Sequence, residues 1–93
     1  MMADNPDHYT YLLLSESTGQ YYIGYTSDLV GRVLTHQADE GNWTRGKGPW
    51  RLVYYETFVT DTEARKREIK LKRMKSKVYL KWLSQNGPGT SVG

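Results

Sequence analysis

The apolar positions of the chain fall into six segments, three with the character of strands and three with the spacing of helices. Residues Tyr9 to Leu14 are aromatic, β-branched or aliphatic. The polar run Ser15-Glu16-Ser17-Thr18-Gly19-Gln20 interrupts them, and Tyr21 to Tyr25 resumes the same composition. This reads as two antiparallel strands joined by a loop. In the second strand Tyr22 and Gly24 share one side and Tyr21, Ile23 and Tyr25 the other, and a glycine inside a strand marks close backbone approach, here leaving room beside Tyr22. Thr26-Ser27-Asp28 is a helix start with Ser27 as the cap, after which Leu29, Val30, Val33 and Leu34 recur at helical spacing towards an end near Gly41. Gly31, inside that helix at a cost of about 1 kcal/mol relative to alanine, predicts something packed tightly against it.

The second half repeats the alternation. Asn42 to Pro49 is a glycine-rich basic loop braced by Trp43 and Trp50, and Trp50 to Val59 has the branching of a third strand. Thr60 with Glu63 three residues on is a capping box, which predicts a helix from Asp61 to Met74. Ser76 caps a further short helix through Leu83 that carries Val78, Tyr79 and Trp82. The pattern therefore predicts an α+β fold, a small three-stranded antiparallel sheet flanked by helices in the order β-β-α-β-α-α. Residues 9–83 form the domain, with flexible ends at 1–8 and 84–93.

Composition narrows the function. Ninety-three residues make one domain, too short for a catalytic unit plus a separate reading domain, so recognition has to be built into the same surface. The chain has no cysteine, which excludes disulfides and thiolate metal sites and fits a reducing cytoplasm, and its two histidines are too few for a zinc cage. No stretch approaches the roughly 20 apolar residues of a membrane span. Net charge is only +3, but residues 1–64 carry four basic and nine acidic side chains and residues 65–93 carry nine basic and one acidic. Such asymmetry points to a polyanion at one end of the molecule; the competing explanation is an ordinary solvated helix face.

The solitary acid in that basic segment is Glu68. On a helical wheel it lines up with Ala64, Leu71 and Val78, which turns it inward, and a buried carboxylate is unfavourable unless something positive holds it. Two readings stand: an intrahelical pair with Lys72 four residues on, or a ligand for a hard cation that takes its remaining oxygens from water and phosphate. Tyr11 and Tyr22 sit on adjacent strands and can share a face, either as packing residues or as phenols whose ionised form a guanidinium and a metal would favour. Arg32 and His36, four apart, stack on one edge of the first helix's apolar stripe; the arginine could pair with a surface acid or meet the charge developing on a phosphate. Glycines in Arg45-Gly46-Lys47-Gly48 expose backbone N–H groups between two cations, a phosphate-friendly loop without Walker A spacing.

These residues carry a family pattern. Over Tyr9 to Leu83 the chain resembles the GIY-YIG nuclease superfamily, in particular its small stand-alone bacterial (UPF0213-like) members. Tyr22-Ile23-Gly24 is one intact tripeptide; Tyr9-Thr10-Tyr11 stands where Gly-Ile-Tyr would, its last tyrosine eleven residues earlier. Arg32 follows Tyr22 by ten residues and His36 follows Arg32 by four, as in the motif. Thr44 to Tyr54 is similar to the loop and third strand of the stand-alone group, and Glu63 to Glu68 followed by Lys72 is similar to the metal-binding helix. The asparagine that many relatives carry after the glutamate has no counterpart except Asn86, in the expected tail.

The resemblance implies hydrolysis of DNA, with RNA as an alternative partner, in repair or recombination and with one Mg²⁺ or Mn²⁺. Glu68 would be the metal ligand, Tyr11 or Tyr22 the residue that orients or deprotonates water, Arg32 the phosphate partner and His36 the proton-transfer aid. Arg45, Lys47, Arg65, Lys72 and Lys75 would bind nucleic acid, in a cytoplasmic protein that is a monomer or a weak dimer. The alternative is a nucleic-acid binding module that cuts weakly or not at all.

Overall fold

Residues 8–38 and 44–86 are described by a computed structural model. Three strands, β1 (His8–Ser15), β2 (Tyr21–Thr26) and β3 (Trp50–Phe58), and three helices, α1 (Leu29–Gln37), α2 (Asp61–Met74) and α3 (Lys77–Asn86), follow the order β-β-α-β-α-α. The sheet is antiparallel in the order β2-β1-β3, so the most apolar strand is central. Its two faces carry separate cores. Leu12 and Tyr54 join Leu71 of α2 with Leu80 and Leu83 of α3 on one face, while Tyr11, Leu13 and Trp50 pack with Leu29 and Val33 of α1 on the other. Alternation along β1 distributes these side chains. A register shift between Leu12 and Leu13 leaves Val53 as the extra residue of β3, so Leu52 and Tyr55 can face the α1 side while Tyr54 faces α2.

The helices are set by their caps, with corrections to the expected limits. Asp28, not Ser27, caps α1: its Oδ1 accepts from the Gly31 amide at 3.1 Å. The same carboxylate explains Gly31, since a Cβ there would lie 2.8 Å from Asp28 Cγ. α1 ends at Gln37, short of Gly41, where Ala38 returns its amide to Leu34. Val30 and Leu34 are exposed, and the inward face is instead Leu29, Val33 and His36. α2 begins at Asp61 under the predicted cap, with the Glu63 amide 3.2 Å from Thr60 Oγ1.

Lys75, in the left-handed region at φ 49°, ends α2, and Ser76 starts α3 by accepting from the Tyr79 amide at 3.1 Å. This break rotates Val78 off the line of Ala64, Glu68 and Leu71, so Val78 is 81% exposed rather than inward. α3 runs three residues beyond Leu83, and Asn86 closes it by donating to the Trp82 carbonyl. Thr10, fully buried in β1, donates to the Ala64 carbonyl at 2.6 Å and fixes α2 to the sheet. Farther along α2, Arg67 pairs with Glu56 of β3, whose carboxylate also accepts from Tyr54. A half-buried carboxylate and guanidinium thus satisfy each other, and Tyr79 of α3 stands beside the same guanidinium, where three elements meet.

Candidate active site

Gly24 stands opposite Tyr11 in the β1–β2 register, and a Cβ at that position would come within 2.6 Å of Tyr11 Cζ. The space left by the glycine therefore belongs to Tyr11, whose phenol lies across β2, rather than to Tyr22. From there the Tyr11 hydroxyl meets His36 Nε2 at 3.1 Å. The other imidazole nitrogen, Nδ1, meets Thr44 Oγ1 at 2.7 Å, and Trp50 Nε1 donates to the Thr44 carbonyl at 3.0 Å. Tyr22 packs its ring 4.8 Å from that of His36 and 6.1 Å from that of Tyr11. His36 is thus buried between tyrosines and threonine, not on the helix rim.

Burial sets the protonation of this half of the site. It pushes the Tyr11 phenol well above its usual range, with the neighbouring Tyr22 adding to the rise and Arg32 opposing it only in part. The same burial, helped by the charge of Arg32, lowers the His36 imidazole below its ordinary 6.5. Both groups are therefore neutral at pH 7, because at Tyr11 loss of solvent outweighs the guanidinium.

Charge enters from the other side. Tyr11, Tyr22, Gly24, Arg32, Asp61 and Glu68 line a single hollow of about 390 Å³, floored by the Tyr25–Ser27 segment. α1 contributes the guanidinium and α2 the two carboxylates. The Glu68 side chain is 13% exposed and pairs with Lys72 Nζ at 2.8 Å, while the ammonium side chain is 53% exposed. The intrahelical pair is present, and the carboxylate also lines the hollow that holds both tyrosines. Among the described residues no three His, Asp or Glu side chains cluster. Glu68 is one shielded carboxylate, with Asp61 on the same hollow, and such oxygen ligands could suit Mg²⁺ or Mn²⁺, which keep several waters and take phosphate oxygens, rather than tetrahedral zinc.

Four of the five candidate residues, Tyr11, Tyr22, Arg32 and Glu68, line this hollow, and His36 stands behind it in contact with Tyr11. The candidate nucleic-acid contacts are distributed. Lys72 and Lys75 line a groove beside β2, Arg65 is exposed on α2, and Arg45 is exposed in the loop. None of the loop's described residues lines the hollow; Gly46, Gly48 and Pro49 line a separate depression with His36 and Gln37. The Lys47 carbonyl accepts from Ser15 at 2.6 Å and the Gly48 carbonyl from Ser17 at 2.8 Å, which fastens the loop to the β1–β2 turn. Trp43 lies outside the described residues. Two site residues escaped the sequence pattern. Thr44 is fully buried and holds His36 from a loop where nothing marks it, and Asp61 had been assigned only to a helix start.

Known proteins resemble this chain over most of its length. A family described as the GIY-YIG catalytic domain matches residues 7–81. A UPF0213 protein of Streptococcus pneumoniae is 38% identical over 82 residues, covering 86% of this chain and 83% of its own. One of Haloquadratum walsbyi is 42% identical over 69 residues, covering 73% and 76%. The solution NMR structure of the UPF0213 protein of Bacillus halodurans is similar at 34% identity and a TM-score of 0.53, over 86% of this chain and 85% of that one. Among the described residues no helix is long and apolar enough to cross a membrane.

Proposed function

The chain belongs to the GIY-YIG catalytic-domain family, and on that premise we propose that it is a metal-dependent endonuclease, hydrolysing DNA phosphodiester bonds with little sequence preference at single-stranded or branched sites. The observation that carries the reading is the meeting of two phenols, a guanidinium and a shielded carboxylate in one hollow, with a neutral imidazole behind them.

Glu68 would hold one Mg²⁺ or Mn²⁺, which when bound supplies Lewis-acid polarisation of the phosphate and lowers the pKa of a coordinated water. Arg32 meets the non-bridging oxygens and takes up the charge that builds as water attacks phosphorus. Tyr11, held protonated by its surroundings, is a hydrogen-bond donor, which leaves Tyr22 to orient the attacking water. His36 is the neutral base at the end of the line from Tyr22 through Tyr11, and its Thr44 contact fixes the ring. Attack of water on phosphorus, its proton passing along that line to His36, breaks the bond to the leaving sugar oxygen, which takes a proton from solvent. Arg45, Lys47, Arg65, Lys72 and Lys75 provide sequence-independent phosphate contacts. The protein would act in the cytoplasm on repair or recombination intermediates, as a monomer or weak dimer.

The Glu68–Lys72 pair favours a second reading, a nucleic-acid binding module in which an ammonium permanently occupies the carboxylate. Incubation of nicked, branched and single-stranded DNA with Mg²⁺ or Mn²⁺ decides between them. The nuclease reading expects wild-type cleavage that Glu68→Gln and Arg32→Ala abolish; equal, metal-independent background in all three proteins leaves the binding module.

A further inference from the structure

The hollow does not end at Tyr22. A depression of about 380 Å³ lined by Tyr21, Tyr22, Ile23 and Lys72 adjoins it, and shares Tyr21, Ile23 and Lys72 with a groove of about 350 Å³ that continues to Lys75, Ser76 and Lys77 at the α2–α3 junction. Lys77 closes the far end, its Nζ 3.9 Å from the place a Cβ would take on Gly19 in the β1–β2 turn. The floor of this path is Tyr21, Tyr22 and Ile23 of the edge strand β2 with Leu71 and Leu80 of the helices; its rim is three lysines, with no acid among the described lining residues. A cationic rim over an apolar floor suits a single strand, whose phosphates and unpaired base faces are both available, and not a duplex, which hides its bases.

We propose that the path from Tyr22 over Tyr21 and Ile23 to Lys77 is the track for the single-stranded arm of the substrate, and that Lys72 divides its time between Glu68 and that strand. Lys72 borders both stretches of the track while its Nζ lies 2.8 Å from Glu68 Oε2. It is the counter-charge of the carboxylate until a divalent cation takes that place. The displaced ammonium then turns to a phosphate. Cation and strand consequently assist each other's binding, and the two effects are equal in size because coupling between sites is reciprocal. The inference rests on the nuclease reading for the cation at Glu68, but not for the track.

Binding alone tests it, without cleavage. Mn²⁺ titration of the free protein should show Lys72→Met binding roughly 3- to 5-fold more tightly than wild type, since the competing ion pair is gone, and Glu68→Gln losing the site. Anisotropy of a labelled oligothymidylate in chelator should show preference over a duplex of equal length. Lys75→Ala/Lys77→Ala should lower the salt slope by about 0.7 for each lost contact. Adding Lys72→Met should weaken strand binding more in the Glu68→Gln background, where the ammonium is released, than in wild type. Equal weakening in both backgrounds, or unchanged Mn²⁺ affinity in Lys72→Met, overturns the exchange. Tighter duplex binding or an unchanged salt slope overturns the track. Loss of Mn²⁺ selectivity for Glu68 itself would instead sink the nuclease reading and leave the track standing.

Discussion

The two halves of the hollow differ in how they treat water. On the α1 side Tyr11, His36 and Thr44 are buried, hydrogen-bonded to one another and neutral. On the α2 side Glu68 and Lys72 form a charged pair open to solvent through the lysine. The dry half owes its shape to packing, because Gly24 admits the Tyr11 ring and Trp50 holds the Thr44 loop. The wet half owes little to packing, so its ions are free to exchange partners. Positioning falls to Tyr11, His36 and Thr44, and replaceable charge to the Glu68–Lys72 pair of α2.

Substitutions should respond to that division. Glu68→Gln should reduce metal-dependent cleavage by roughly 10²- to 10³-fold or more while changing stability by no more than about 1 kcal/mol, as for other partly exposed pairs. Cleavage rates beside a denaturant titration check both values; a large loss of stability would place Glu68 in the core instead. Gly24→Ala should act in the opposite sense, lowering stability by about 1–3 kcal/mol through overpacking against the Tyr11 ring. Its cleavage loss should follow from the displaced phenol, which a Tyr11 ring shift in NMR spectra would register. Thr44→Val leaves His36 Nδ1 without its partner and should cost about 1–3 kcal/mol in thermal or chemical unfolding.

The pH response isolates the dry half. His36 has a lowered pKa in the fold, so between that value and the unfolded value of about 6.5 the unfolded chain binds more protons. Its contribution to stability is present above about 6.5 and is lost as pH falls through that window. Unfolding midpoints measured across the window should fall in wild type, and the fall should flatten in His36→Gln. The smallest effect belongs to Arg51→Ala, which removes an exposed pair with Glu16 and should move stability by less than about 1 kcal/mol, with cleavage unchanged.

Much of this arrangement was legible in the residue pattern, because strands and capped helices advertise themselves locally. Tyr9 to Leu14, Trp50 to Val59 and the Thr60 capping box gave β1, β3 and α2 within one residue at each end. Where three cap-forming residues run together, as at Thr26-Ser27-Asp28, composition could not say which carboxylate or hydroxyl would reach the Gly31 amide. The α1 wheel misled for a related reason. Aliphatic residues occupy two flanks of that helix, and only the partners waiting for His36 on Tyr11 and Thr44 decide which flank is buried. Thr44 was invisible because a loop threonine has no periodicity. The rise at Tyr11 was not legible because a sequence shows nearby charge more readily than lost solvent.

Paramagnetic broadening is the most direct test of the claim that Glu68 brings a divalent cation into the tyrosine-lined hollow. Substoichiometric Mn²⁺ added to isotope-labelled protein should first broaden the signals of Tyr11, Tyr22, Gly24 and Arg32, and Glu68→Gln should abolish that selectivity. Broadening that starts instead at exposed acids such as Glu16 and Glu63, and persists unchanged in Glu68→Gln, would contradict the account.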